Sequence, residues 1–569
     1  MLKYLEKEIF HMKRFLALAL SAAMILSVCL FAGCGNTPDE TTGSSTPKET
    51  TAATTTEKGG ATETTAATST ADTTTADTTP ADTTGAGNTE PDDTTAATDD
   101  TTEDVGGDEP VQGGDDFGYE NLDGYGKLPG YEDIDFGGRV FIISALQGSD
   151  EAGGGRWDNF REVYCDETDA ISTAVRERND VMSKLYNCTI QVLGTTSPAS
   201  LASADVTGNM HSLDIYCTSG LGTGTFVNDT AYNLLNYDID FSHPWWDQQF
   251  VNTFSLRTSA GNKVLYAAVG DFSINAMSAV HLLFYNKTLK DATIPDIDLY
   301  QLVRDKQWTV DKFMEILKRP EIAKDVNGNS SYDYVNDGDI VAWVRTDQSN
   351  HGIHVASGLS IVDSIDGVMS FACANNTNAW VDAISKGVEL ANIETADYIS
   401  YSYVQKAIEE GKALFASEVL DVLERMKDAD VSVGLMPYPL YSETQENYAH
   451  FVTTRFPAYV VPISVPDPEV VADFFELYAY HSKYIVRTAY IDTYCVEYCG
   501  DEESAEMLDI ILNCRTYDPG YVFWSAYETD IGNMILNGKN TMAQWIGRKG
   551  ATLTNNIAEF VTGISDNVN

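Results

Sequence analysis

Gly137-Gly138-Arg139-Val140-Phe141-Ile142-Ile143-Ser144, then Asp169 to Tyr186 (DAISTAVRERNDVMSKLY), then Cys188-Thr189-Ile190-Gln191-Val192-Leu193: these three stretches decide the fold. The first follows a Gly-Gly turn and is a short apolar run of the kind that forms an interior strand. In the second, Ile171, Val175, Val181, Met182 and Leu185 recur near helical spacing, with charges on the opposite face. The third is again strand-like, and Leu213-Asp214-Ile215-Tyr216-Cys217 predicts a further strand. Strands alternating with a helix specify an α/β architecture. Nearly all of the 30 Tyr, 22 Phe and 8 Trp lie beyond Gly118, so residues 119–569 form the globular body. That length suffices for two packed lobes.

N-terminal to this body the composition changes abruptly. From Gly35 to Gly118 the chain is Thr, Ala, Asp, Glu and Gly, and Ala71-Asp72-Thr73-Thr74 recurs at Ala76-Asp77-Thr78-Thr79 and at Ala81-Asp82-Thr83-Thr84. A segment so poor in large apolar residues cannot offset its ordering entropy, so 35–118 is expected to be a disordered linker. Its 19 acidic and two basic side chains leave it near −17, and like charges extend it. A flexible coil of that length reaches ~50 Å or more. Tether and glycosylated stalk are both compatible with that composition.

Further upstream, Lys13 and Arg14 precede the apolar run Phe15 to Ala32, which ends in Phe31-Ala32-Gly33-Cys34. This is the order of a secretory signal, with Met12 as a candidate start. The last four residues resemble a bacterial lipobox, although Phe31 stands where Leu, Val or Ile is usual. Residues 1–34 are thus expected to be a signal peptide, with Cys34 lipidated and the mature chain anchored rather than spanning. The alternative is a retained transmembrane helix, since the run approaches spanning length.

The formal net charge of the 569-residue chain is −49. Such a surface repels phosphate backbones and anionic lipid, which argues against nucleic acid or a polybasic membrane contact and favours a neutral or cationic small molecule. Beyond Cys29 and Cys34, the remaining cysteines are Cys165, Cys188, Cys217, Cys373, Cys495, Cys499 and Cys514. Sparse and odd in number, they do not form a disulfide framework.

Several motifs carry a family resemblance, in order, over Phe136 to Val561. They include Ala174-Val175-Arg176-Glu177-Arg178-Asn179, Leu213-Asp214-Ile215-Tyr216, His243-Pro244-Trp245-Trp246-Asp247, Val269-Gly270-Asp271 and Phe284-Tyr285-Asn286-Lys287. Leu299-Tyr300, Trp308-Thr309-Val310-Asp311-Lys312-Phe313, Gly411-Lys412-Ala413-Leu414-Phe415, Gly434-Leu435-Met436-Pro437-Tyr438-Pro439 and Gln445-Glu446-Asn447-Tyr448 follow. Together they resemble the extracellular solute-binding proteins of sugar-type ABC importers, in the lipoprotein branch of Gram-positive bacteria related to maltodextrin-binding proteins.

The resemblance implies a two-lobed periplasmic-binding-protein-like fold (type II) with hinge crossovers. Lobe 1 would hold residues 136–275 and 435–465, and lobe 2 residues 285–430 and 468–569. The first crossing is expected between Leu265 and Tyr285, the return between Val433 and Val461. It further implies a monomer on the outer face of the cell membrane that captures a sugar, oligosaccharides foremost, for ABC permease subunits, with no catalysis and no cofactor.

Sugar sites combine flat aromatic faces with orienting polar groups. Trp157 and Asn159 follow the first strand, where open α/β sheets place their ligand crevice. Trp245 and Trp246 lie in a Pro-preceded loop and would either face a cleft or pack at a lobe edge. Trp524, in Tyr521-Val522-Phe523-Trp524-Ser525, resembles a sugar-stacking aromatic of the maltodextrin-binding relatives. Asp271 would orient hydroxyls at the hinge or cap a turn, and Glu418, Tyr448 and Arg455 complete the candidate ligand set. Trp343 and Trp380 read as core.

Asp325, Asn327, Asn329 and Asp333 place oxygens at alternate positions of one loop, which resembles the calcium loops of this branch. Ser330 replaces the turn glycine and no Glu closes the register, so structural Ca2+ and a plain polar turn both fit. His351 and His354 form an isolated H-x-x-H. An exported glycoside hydrolase and a polysaccharide-binding adhesin are the rival functions. The first needs two carboxylates at fixed separation, which 85 acidic residues make uninformative.

Overall fold

A computed structural model describes residues 126–147, 159–218 and 220–565. The expected signal peptide, Cys34, the Thr-rich tract and Trp157 lie outside the described residues.

The first sheet begins with β1 (Arg139–Leu146), then α1 (Phe160–Val163), α2 (Ala170–Tyr186), β2 (Cys188–Thr195), α3 (Pro198–Gly208) and β3 (Ile215–Cys217). Helix α2 starts where Asp169 accepts the Ser172 N–H and stops at Asn187, whose φ of 51° lies in the left-handed region. Its buried face is Ile171, Ala174, Val175, Arg178, Met182 and Tyr186. β1 pairs in parallel with β2, from Arg139 opposite Cys188 to Leu146 opposite Thr195, and on its other side with β3. The chain therefore winds to one side of β1 and then crosses to the other. The topological switch lies between β1 and β3, and all three strands end at one carboxyl edge.

The chain next leaves this sheet through residues 268–280, bridging Trp246 to Gly270 and Ala268 to Tyr459. The second sheet holds β4 (His281–Asn286), β5 (Val341–Arg345), β6 (Ala396–Tyr398), β7 (Ala413–Val419) and β8 (Val433–Met436), in the order β6-β5-β7-β4-β8. Between them run α4 (Asp347–Ala356), α5 (Thr377–Ala391), α6 (Tyr401–Glu409) and α7 (Val422–Arg425). β5, β6 and β7 are parallel, and β4 runs antiparallel to β7 and β8. Here the switch falls between β5 and β7.

The return passes β9 (His450–Phe451), the bridge of Val452 to Val280 and β10 (Tyr459–Val460), which lies antiparallel to β3. The two crossing segments thus run side by side. Next, α8 (Pro468–His481) covers the first sheet, where Phe474 stacks on Phe141 at 3.9 Å between centroids. The segment 482–499 leads back to α9 (Glu502–Asn513), whose Ser504 meets Tyr300 of the second lobe. β11 (Arg515–Thr516) pairs with β9, and α10 (Ser525–Leu536) and α11 (Met542–Gly563) close the chain.

The lobes differ from the sequence expectation in their membership. Residues 468–481, expected in lobe 2, pack on the first sheet because Phe474, Phe475 and Tyr478 fill its face. Conversely Leu435 and Met436, expected in lobe 1, are in β8 of the second sheet. Six described cysteines are free thiols, with burial pushing Cys188 up to about 11 and Cys499 up to about 12.

Candidate functional site

The carboxyl edges of the two sheets face one another. Arg161, in the helix that follows β1, donates from Nη1 to Glu424 Oε1 at 2.7 Å, in the helix that follows β7. Its Nη2 reaches Asp169 Oδ1 at 2.8 Å. This ion pair joins groups 263 residues apart, on the helices that follow β1 and β7, and so brings the carboxyl edges of the two sheets together.

On the first side, Asn159 is 2% exposed and its Oδ1 has no hydrogen-bond partner. A buried amide oxygen without a donor is costly unless something else satisfies it. Thr218 follows β3 and accepts the Ala458 N–H at Oγ1, 3.1 Å away. On the second side, Glu418 is buried near the end of β7, where Oε1 accepts the Val419 N–H at 3.0 Å. Asp347 opens α4 just past β5 and is exposed. Tyr398 ends β6, and burial and then Asp347 raise its hydroxyl pKa. Tyr398 and Tyr401 are large exposed aromatics on this edge. The sequence reading missed both, although Tyr398-Ile399-Ser400-Tyr401-Ser402-Tyr403 is dense in aromatics at a strand-to-helix junction.

At the hinge, Asp271 is nearly buried, with Arg487 Nε 3.4 Å from Oδ1 and Oδ2 unpartnered. Burial raises its pKa, against the pull of Arg487, Lys483 and Arg515. Nearby, Asp247 Oδ2 takes the Tyr517 hydroxyl at 2.7 Å and Arg515 Nη2 at 3.1 Å. These contacts tie Asp247 of the first lobe to Arg515 and Tyr517 at β11, and Asp271 of the first crossing to Arg487. Arg455 lies exposed on the return crossing.

Other expected ligand residues stand elsewhere. Trp245 and Trp246 are 0% and 2% exposed, and their indole N–H groups donate to Glu476 Oε1 and Oε2 at 3.0 and 3.1 Å. They are core residues of the first lobe, because α8 brings a buried carboxylate to them. Tyr448 donates its hydroxyl to the Val303 carbonyl at 3.1 Å and packs within the second lobe. Trp524 is half-buried, edge-on to Phe523 and Phe560 at 5.9 and 6.0 Å. Trp343 and Trp380 are fully buried.

In the polar loop, Asp325 accepts the Gly328 and Ser330 N–H groups, and Asn327 that of Asn329. Asn329 accepts from Ser331 N, and Asp333 from Asn336 N. These are the bonds of a polar turn. His354 is buried and His351 half-buried against Glu528, beside a cavity of about 10 Å³, room for roughly one water. Among the described residues no group of three His, Cys, Asp or Glu could hold a metal ion, and no helix is long and apolar enough to cross a membrane.

No family model matches the chain, and no curated protein matches it. Solved structures do. A cyclo/maltodextrin-binding protein complexed with maltotetraose matches at 11% identity over 75% of this chain and 98% of that one, with a TM-score of 0.48. An ABC substrate-binding protein from Listeria monocytogenes, in complex with cycloalternan, matches at 14% identity over 74% and 99%, with a TM-score of 0.45. The sugar-binding protein MalE from Xanthomonas citri matches at 11% identity over 74% and 97%, again with a TM-score of 0.45. The two-lobed α/β architecture itself is carried by this chain's own topology: two switched parallel sheets, joined by paired crossing segments.

Proposed function

We propose that this chain is an extracellular solute-binding protein, lipid-anchored through Cys34, whose lobes close on a carbohydrate and present it to an ABC permease. The observation that carries the reading is the pair of switch points facing each other across the Arg161–Glu424 contact. Open α/β sheets bind ligands at such points, and two of them hinged together make a clamp. Asn159, Asp347 and Glu418 supply polar groups for hydroxyls, and Tyr398 and Tyr401 supply flat apolar faces for sugar C–H surfaces. A sugar bound more tightly by the closed than by the open form shifts the equilibrium by that difference and no more.

Small-angle scattering with and without saccharide tests this. The radius of gyration is expected to fall on saturation, and the melting temperature to rise, by about 2.7 kcal/mol of added stability at a hundredfold excess over Kd. A saturated protein with unchanged radius overturns the clamp. Release of reducing ends from the saccharide supports a hydrolase instead, and retention only on insoluble polysaccharide supports an adhesin.

A further inference from the structure

We propose that Glu528, His351 and His354 form a pH-sensitive joint that fastens the helices of the second lobe to the paired crossings and holds most firmly near neutrality. The inference goes beyond the carbohydrate reading and needs no ligand.

The three side chains meet around the cavity of about 10 Å³. His351 and His354 come from α4, one turn apart, and Glu528 from α10. The rest of its wall includes Phe451 and Val452 of the return, Thr516 of β11, and Asp518 and Tyr521 just beyond it. Val452 bridges Val280 of the first crossing, so the cavity lies where α4 and α10 rest on both crossings. His351 Nε2 touches Glu528 Oε2, and His354 Nε2 is 3.9 Å from Oε1. Gly532, one turn past Glu528, makes room for this: a Cβ there would lie 2.9 Å from His351 Nε2.

His354 is 1% exposed, yet neither of its ring nitrogens has a hydrogen-bond partner, and His351 Nδ1 and Glu528 Oε1 have none either. A neutral imidazole has one N–H to place and one lone pair to fill. Leaving them bare inside a protein is costly. The cavity, with space for one water, is where they are met.

The joint responds to charge. Burial and then Asp347 push the Glu528 pKa well above its usual 4.5, and burial pushes His351 and His354 from 6.5 down to about 3. At neutral pH the carboxyl is therefore protonated, the imidazoles are neutral, and the Glu528 O–H donates to His351. The surrounding groups offer no buried counter-charge. Asp518, pushed up to about 7 by burial, spends its oxygens on the Ile361, Val362 and Gly520 N–H groups. The Tyr521 hydroxyl is pushed up by burial, and Asp347 is exposed. Beyond Phe451 lie His281, with its ring centroid 5.4 Å from that of Phe451, and His450, pushed down to about 4 by burial. Arg515 of β11 turns to Asp247 at 3.1 Å, and no Lys or Arg lines the cavity.

Opening the joint to water returns the three groups to their usual values, while Asp518 keeps its N–H bonds. Above pH 6.5 opening releases the Glu528 proton, so it gains about tenfold per unit as pH rises. From 6.5 down to 4.5 the two imidazoles each take up a proton and Glu528 loses one, so opening gains about tenfold per unit as pH falls. Below 4.5 Glu528 stays protonated, and the gain becomes about a hundredfold per unit. The closed joint is thus firmest near pH 6.5.

Amide hydrogen exchange of the full-length, ligand-free chain from pH 4 to 8, corrected for the intrinsic exchange rate, tests this. Protection of α4 and α10 is expected to peak near pH 6.5 and to fall about tenfold by pH 5 and by pH 8. Helix α2, in the first lobe, should not share that peak. Glu528→Gln is expected to abolish the fall toward pH 8, and His354→Gln the fall toward pH 5. A flat wild-type profile in α4 and α10 overturns the joint, and so does the same peak in α2, which would mark global unfolding. Either variant retaining both falls overturns it as well. Should a variant fail to fold, the wild-type profile decides.

Discussion

Glu162 is 1% exposed, and its carboxyl takes the Tyr459 hydroxyl at 2.6 Å and the Asn275 N–H at 2.5 Å. Burial pushes its pKa up to about 7, from an ordinary 4.5, against those bonds. The folded chain therefore keeps a proton that the unfolded chain releases between those values. The resulting stability is full below about pH 4.5 and is lost as pH rises through about 7. Asp518, also pushed up to about 7 by burial, acts in the same sense. His354, pushed down to about 3 by burial, acts in the opposite one and weakens the fold as pH falls below about 6.5. Comparing Glu162→Gln with the wild type at each pH isolates the one carboxyl. The variant's melting temperature is expected to gain on the wild type from pH 5 to 7.5, and parallel profiles would refute the assignment. The same scale shows where sequence reading stops. Asn159 could be picked out as a polar group beyond the first predicted strand, whereas nothing local predicted the strand that carries Glu418. Trp245 and Trp246 could not be placed, because the carboxylate that takes both their N–H groups is Glu476, about 230 residues further on. Burial of an indole depends on a partner that local sequence does not reveal.

Among the elements, α2 was legible because its apolar spacing, its Asp169 cap and the strands on either side agree. Helix α8 falls in the stretch that the resemblance put in lobe 2, and the structure moves it to the first sheet. Periodicity says that a face is buried without saying which sheet buries it. The stacking of Phe474 on Phe141 fixes the answer. Phe474→Ala would leave a cavity under the first sheet and is expected to cost about 3–5 kcal/mol, read as a lower urea midpoint with an unchanged slope. A loss below about 1 kcal/mol would mean that α8 is not part of that core. Tyr398 and Tyr401 escaped notice for the complementary reason. They sit where a strand gives way to a helix, and neither period applies across the junction.

At the scale of the molecule, the alternation of strands and helices pointed to an α/β architecture, the length allowed two lobes, and the resemblance supplied the two crossings. Strand order could not be read locally, and it is the order that creates both switch points. The first sheet also draws on distant chain. Its fourth strand is β10, and α8, which covers its face, is more than 300 residues from β1. A fragment ending at residue 440 is thus expected to lack cooperative melting, because the first sheet would stand uncovered. A sharp transition in that fragment would show the amino-terminal lobe to be self-sufficient. The interleaving bears on biogenesis. A nascent polypeptide cannot complete its opening sheet until almost all of it has been synthesised, so its first strands wait unpaired and uncovered until late in translation.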